Sequence, residues 1–345
     1  MHLPRLALLA LTSLLSSPLA SADAIVPAPN AAAAAEVSAE KTPVTEASAE
    51  KTPTEPFQTQ GIYLQQYTAQ TPKRLDRLID RALDVGINTL VVDLETRQAG
   101  YKKAIEHIHE RGLRYVPRIV MFNQGGNREL VNNRAFWEER WKLAEYALEL
   151  GAKDIQLDYI RYSSKTPASP QNALDVREVL RFFRKRINER GARLQIDVFG
   201  EVGYAPSMHI GQDISLFAPE IDAVCPMTYP SHYEPFAERA QQPFETVHSS
   251  LVGLQRQMGA SKVPVLPYIE LFNYRYKLNP EQRINYIREQ LRAAREASAE
   301  GWIAWSAGNR YEVLFDVLRQ DRARSAAEPT SSRAPGAASE PPPRG

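Results

Sequence analysis

Short apolar runs alternate with longer amphipathic stretches through the middle of this chain. The runs fall at residues 61–64, 88–95, 114–122, 154–160, 193–199, 222–228, 263–270 and 302–306. Their brevity, their branched and aromatic content and their polar borders predict strands. Between them apolar positions recur with helical spacing, as in Leu75, Leu78, Ile79, Ala82 and Leu83, or Leu143, Tyr146, Ala147 and Leu150. Gly86, Gly112, Gly151, Gly191 and Gly301 each stand between a helical stretch and the next strand. Glycine ends a helix there because it takes left-handed backbone at little cost. This recurrence of helix, glycine and strand predicts consecutive βα units, and eight units close an α/β fold, the (β/α)8 TIM barrel. The rival is an open doubly wound sheet, marked by a Gly-rich phosphate loop after its first strand. No such loop follows residues 61–64. Gly125-Gly126, after the third strand, lacks the fingerprint spacing and reads as a plain loop.

The two ends break this pattern. His2 and Arg5 precede an apolar run at residues 6–15, and Ala20-Ser21-Ala22 follows. The run is shorter than the roughly 20 residues that span a bilayer. Residues 1–22 are therefore expected to be a secretory signal peptide, the alternative being an uncleaved anchor. No cysteine follows the run, so a lipid-attached form is not expected. Residues 23–56 are rich in Ala, Pro, Thr and Glu and carry the repeat Ser38-Ala39-Glu40-Lys41-Thr42-Pro43 and Ser48-Ala49-Glu50-Lys51-Thr52-Pro53. So little apolar surface cannot offset the entropy of ordering, which predicts a disordered linker. Residues 324–345 read likewise as a disordered tail, leaving 57–323 as a single folded domain. An exported protein, periplasmic or secreted, is expected, with no membrane span once the signal is cleaved.

Composition narrows the function. The 42 basic and 41 acidic residues leave a formal charge of +1, without the footprint of a nucleic-acid binder. One cysteine, Cys225, excludes an intrachain disulfide. The six histidines are scattered. Only His232 and His209 fall on the strand-end side, too few for a metal-dependent hydrolase, so no metal or cofactor is expected. The pattern gives no oligomeric state.

Barrel active sites lie at the C-terminal ends of the strands, and strand alternation says which side chains face the axis. In DIQLDYI, Gln156 and Asp158 face inward. In RLQIDVF, Gln195 and Asp197 do. In NTLVVDLE, the inward positions include Asp93 and Glu95. Carboxylates from three strands thus converge on one mouth, and burying acids is costly unless they are paired or used. Arg118 is expected inward beside them, which also admits a purely structural ion-pair network of Asp93, Arg118 and Asp197. Asp154 and Asp222 begin their strands and belong to the opposite face. Paired carboxylates are what glycosidic cleavage requires, one to protonate the leaving oxygen and one to attack the sugar or activate water. Asp158 is the first candidate, with Asp197 or Glu201 as partner. Tyr159, Arg161, Tyr229, His232, Glu270 and Trp305 line the same rim, where rings can stack on sugars and planar donors can bind hydroxyls.

Several stretches carry a family pattern. They are Leu157-Asp158-Tyr159-Ile160-Arg161-Tyr162, Asp197-Val198-Phe199-Gly200, Ile210-Gly211-Gln212-Asp213, Pro226-Met227-Thr228-Tyr229-Pro230-Ser231-His232-Tyr233 and Gly301-Trp302-Ile303-Ala304-Trp305. On these the chain resembles the bacterial "putative glycoside hydrolase domain" family, TIM barrels classed with glycosidases, over residues 61–318. The resemblance implies a site around Asp158 with Asp197, Asp93, Arg161, Tyr229 and His232 near it. The chain departs where Glu270 and Leu271 stand in place of Gln and Asp, which ranks Glu270 below Asp158 and Asp197. The expected function is cleavage of a polysaccharide or oligosaccharide; the alternative is a carbohydrate-binding barrel without catalysis.

Overall fold

The computed structural model describes residues 58–327. The expected signal peptide and linker, and the expected tail beyond 327, lie outside the described residues. Eight strands close a parallel barrel in sequence order: β1 (Thr59–Leu64), β2 (Thr89–Asp93), β3 (Arg114–Val120), β4 (Asp154–Asp158), β5 (Arg193–Phe199), β6 (Ala223–Met227), β7 (Tyr268–Glu270) and β8 (Gly301–Trp305). β1 pairs with β8 from Thr59↔Gly301 onward and seals the cylinder. The predicted (β/α)8 barrel is the fold that forms.

Long helices follow most strands: α1 (Pro72–Asp84), α2 (Ala99–Glu110), α3 (Arg134–Glu149), α4 (Pro170–Glu189), α5 (Pro243–Met258), α6 (Pro280–Glu296) and α7 (Glu312–Ala327). The β5–β6 connection instead makes short helical turns at Gly200–Gly203, Ile214–Phe217 and Ala218–Glu220. Gly86, Gly112, Gly151 and Gly191, which follow α1 to α4, have φ between 69° and 87°, the left-handed region expected of helix-ending glycine.

Several boundaries differ from the sequence pattern, and three of them have a clear physical reason. The seventh strand was expected over 263–270, but only Tyr268–Glu270 forms a ladder, with a lone bridge from Val265 to Val224. Pro264 and Pro267 interrupt it because proline has no N–H to give. β4 stops at Asp158 because Tyr159 turns to φ 52°. At the other end α7 runs on to Ala327, past the expected boundary at 323. Arg319 and Arg322 on this helix reach the Asp84 carboxylate and carbonyl, and Arg288 pairs with Asp321.

Two apolar layers hold the barrel. Outward strand residues such as Leu90, Val92, Ile155, Leu157, Ile196 and Val198 pack beneath the helices. A smaller cluster fills the barrel axis, including Val91, Val116, Cys225, Leu266, Tyr268 and Ile303. Within this inner layer Gln156 accepts from the Tyr268 hydroxyl at 2.6 Å and donates to Cys225 Sγ at 3.1 Å. Asp154, at the opposite end, is neutralised by Arg114 and Arg193 and bound by Gln195. That matches the stability face to which it was assigned.

Candidate active site

The inward positions at the strand ends meet around one guanidinium. Arg118 on β3 sits beside Asp93 on β2, its direct partner in the ladder. Its Nη1 donates to Asp93 Oδ1, and its Nη2 and Nε (3.0 Å) both donate to Asp158 Oδ2. Nε also lies 3.7 Å from Asp197 Oδ2. The second oxygen of Asp93 accepts from the Tyr63 hydroxyl, and that of Asp158 accepts from the Tyr159 N–H. Asp197 Oδ1 is buried without a hydrogen-bond partner among the described residues. Tyr63 and Trp305 stack at 3.9 Å, and Arg118 faces both rings at 5.5 and 5.2 Å. The cluster therefore has an aromatic wall, a cationic centre and three acids.

The acids are nearly withdrawn from water, with side-chain exposures of 9% for Asp93, 6% for Asp158 and 2% for Asp197. Asp197 is the least exposed of the three, and it follows Ile196 on β5 as Asp158 follows its ladder partner Leu157 on β4. One guanidinium cannot balance three negative charges in so dry a place. Burial is the main force raising the pKa of Asp197 well above the usual carboxylate range, and repulsion from Asp158 adds to it. Asp93 is also raised, since burial outweighs its bonds to Arg118 and Tyr63. Burial alone would pull Arg118 down, but the attraction of Asp158, Asp93 and Asp197 holds it firmly protonated. Asp197, whose proton burial makes harder to lose, thus shares the mouth with Asp158, which is held by the Arg118 guanidinium.

The other expected residues occupy distinct places. Trp305 joins the cluster directly. Tyr229 belongs to the axial layer, and its phenol is raised by burial and by Asp197 and Asp158 nearby. Arg161 packs between the Tyr159 and Phe199 rings at 5.0 and 5.1 Å and donates to the Tyr162 carbonyl at 3.0 Å. It braces the loop after β4, with Tyr159 beneath it. His232 is solvent-exposed at one edge, while its ring stacks on Tyr274 at 5.2 Å and meets Tyr229 edge-on at 5.4 Å. This packing desolvates the imidazole, and Arg275 adds to the effect, so its pKa falls below the ordinary value.

Three acids stand apart from the cluster. Glu95 was expected to point inward, but β2 ends at Asp93 and Glu95 is exposed, its N–H held by Gln66. Alternation cannot be carried past the end of a strand. Glu201 lies exposed in the turn after β5 and accepts only a 3.4 Å bond from the Glu234 N–H. Partial desolvation raises its pKa, but no contact joins it to Asp158. Glu270 is fully buried in a pocket of its own, where the Ser231 N–H (3.0 Å), the Ser231 hydroxyl (2.8 Å) and the Tyr286 hydroxyl all donate to it. Burial outweighs these donors and pushes its pKa up to about 7.

Tyr63 escaped the sequence reading although its signal was present. It sits two positions after Gly61 on the inward face of β1, where its ladder partner is Val91, and its hydroxyl reaches the next inward residue of β2, Asp93.

A family model described as "putative glycosyl hydrolase domain" matches residues 129–311, more than half of the chain. The chain belongs to this family. Among solved structures, the C-terminal domain of a "putative chitinase" from Desulfitobacterium hafniense DCB-2 matches with TM-score 0.56 and 15% identity, covering 76% of this chain and 99% of that one. The spore cortex-lytic enzyme SleL of Bacillus cereus matches with TM-score 0.56 and 14% identity, over 76% and 74%. A class V chitinase from Pseudomonas fluorescens Pf-5 gives 0.54 and 12%, over 75% and 98%. At these identities the likeness is one of fold. No curated protein matches the sequence. The putative glycosyl hydrolase domain match includes Asp158, Asp197, Tyr229, Glu270 and Trp305. Asp93 and Arg118 precede it, so the cluster is completed by strands outside the matched span.

Proposed function

We propose that the protein is an exported glycoside hydrolase that cleaves a polysaccharide or oligosaccharide with Asp197 as proton donor and Asp158 as the second carboxylate. The observation that carries this is the pairing of unlike acids in one mouth. Asp197 is driven to hold its proton by burial and by Asp158, while Asp158 is fixed by Arg118 and the Tyr159 N–H. A carboxyl group that burial holds toward its acid form is a candidate proton donor. Asp197 gives its proton to the leaving oxygen as the bond to the sugar carbon breaks. Asp158 stabilises the positive charge that develops at that carbon, and water completes the reaction. Support for export comes from the leader-like pattern of residues 1–22.

One observation favours the second reading, a carbohydrate-binding barrel without catalysis. Arg118 engages both Asp93 and Asp158, and these pairs are almost out of solvent, as a structural network would be. One experiment separates the two. The purified protein is assayed for new reducing ends on bacterial exopolysaccharides, cell-wall glycan and storage glucans, beside Asp158→Asn and Asp197→Asn. The hydrolase reading expects each variant to lose roughly 10²- to 10⁴-fold in rate, with thermal midpoints close to wild type. Asparagine at 158 can still accept from the Tyr159 N–H, and Arg118 keeps Asp93 and Asp197 as partners. Inactive wild-type protein, with variants that unfold far below it, would establish the structural network instead.

A further inference from the structure

An aromatic path leads from the carboxylates to the solvent. Tyr229, whose phenol feels Asp197 and Asp158, touches the rings of His232 at 5.4 Å and Phe272 at 6.1 Å. Both of those meet Tyr274, at 5.2 and 4.5 Å. Tyr274 ends the path and is 66% exposed. It stands on the loop after β7, on the same face of the barrel as the acids. The other exposed aromatics among the described residues, Tyr67, Tyr204 and Phe236, also follow strand C-termini, after β1, β5 and β6. Single exposed rings are ordinary on a protein surface, but these four all stand on the face that holds the candidate active site.

We propose that Tyr274, backed by His232 and Phe272, is a remote subsite that stacks on a gluco-configured pyranose ring several sugars away from the point of cleavage. A ring with equatorial substituents presents a flat face of C–H bonds, the surface that an aromatic side chain covers best. His232 suits this role as a neutral ring, and its stacking on Tyr274 fixes the orientation of the exposed phenol. The subsite would make the protein a reader of chains rather than of short fragments. The proposal rests on the carbohydrate reading of the mouth but not on catalysis.

The test uses the full-length protein and its Asp158→Asn form in native gels cast with glycol chitin, hydroxyethylcellulose or mixed-linkage β-glucan, together with the variants Tyr274→Ala and Tyr274→Phe. Wild type and Asp158→Asn are expected to be retarded by at least one of these glycans. Tyr274→Ala should weaken the binding constant about 3- to 10-fold, the worth of one aromatic stack, and Tyr274→Phe should not, because it keeps the ring. Leu83→Ala, an exposed apolar change on α1 away from the mouth, serves as control and should match wild type. Tyr274 is on the surface, so its loss should leave the thermal midpoint unchanged. Retardation of wild type by none of the three glycans overturns the subsite, and so does equal binding by Tyr274→Ala. Binding that depends on Tyr274 without any cleavage would defeat the hydrolase reading and leave the subsite standing. Cleavage indifferent to Tyr274 would do the reverse.

Discussion

Glu270 shows how a single buried acid ties stability to pH. Its pKa rises from 4.5 in the unfolded chain to about 7 in the fold, because burial outweighs the donors from Tyr286 and Ser231. Between those values the folded protein holds a proton that the unfolded chain has released. Unfolding therefore becomes easier as pH rises from about 4.5 to about 7, and the loss is complete above the folded value. The span corresponds to about 3 kcal/mol. Glu270→Gln removes the titration while keeping the shape, and the Ser231 and Tyr286 hydroxyls can turn to suit an amide. We expect its thermal midpoint to vary less than wild type over that window and to exceed it near neutral pH, read by calorimetry across a pH series. An unchanged pH slope would show that Glu270 is already ionised in the fold. Residue identity at the cluster was legible for the same elementary reason that Glu270 was hard to place. Asp93, Arg118, Asp158 and Asp197 lie inside regular strands, where alternation gives direction, whereas Glu95, Glu201 and the Ser231 and Tyr286 donors to Glu270 depend on turns and on a helix.

At the scale of elements, the position of Asp197 depends on how the turn after β5 is seated. That turn, Gly200–Gly203, lies against α5, and the contact is between glycines. A Cβ on Gly253 would come within 2.2 Å of the Gly203 carbonyl, and one on Gly203 would come within 2.2 Å of the Ser250 carbonyl. Both obstacles are backbone and cannot rotate away. The Ser250 hydroxyl adds a 2.7 Å bond to the Gly200 carbonyl. Alanine at 253 would gain about 1 kcal/mol of helix propensity and lose about 1–3 kcal/mol to overpacking. The clash is expected to prevail, so Gly253→Ala should lower the urea midpoint and also reduce activity by shifting the end of β5. A stabilised Gly253→Ala would mean that α5 can slide without moving the turn. The strands and most helices were legible from periodicity and their closing glycines. The short turns between β5 and β6, and the brevity of β7, were not, because they are set by Pro264, Pro267 and glycine contacts across the fold rather than by any local repeat.

For the molecule as a whole, the seam between β1 and β8 decides how much of the chain the barrel needs. It opens at Thr59, whose N–H donates to the Glu300 carbonyl at 3.1 Å and whose ladder partner is Gly301. Just before it, the Asn88 side chain holds both the Gln58 carbonyl and the Gln60 N–H at 2.9 Å. Gly301 has φ 148°, and a Cβ there would strike the Thr59 carbonyl at 2.0 Å, so the closure is fitted to these residues. Every strand, the Arg118 cluster and the Tyr274 path therefore lie at or beyond residue 58. If residues 23–56 act as the linker that their composition predicts, the barrel should stand without them. Removing residues 1–56 should leave the thermal midpoint, the far-ultraviolet dichroism per residue of the barrel and the rate on soluble oligosaccharides unchanged. A lowered midpoint would show that the leading segment packs on the seam, and a lost rate with an intact midpoint would show that it reaches the mouth. Either result would overturn the reading of residues 23–56 as a linker.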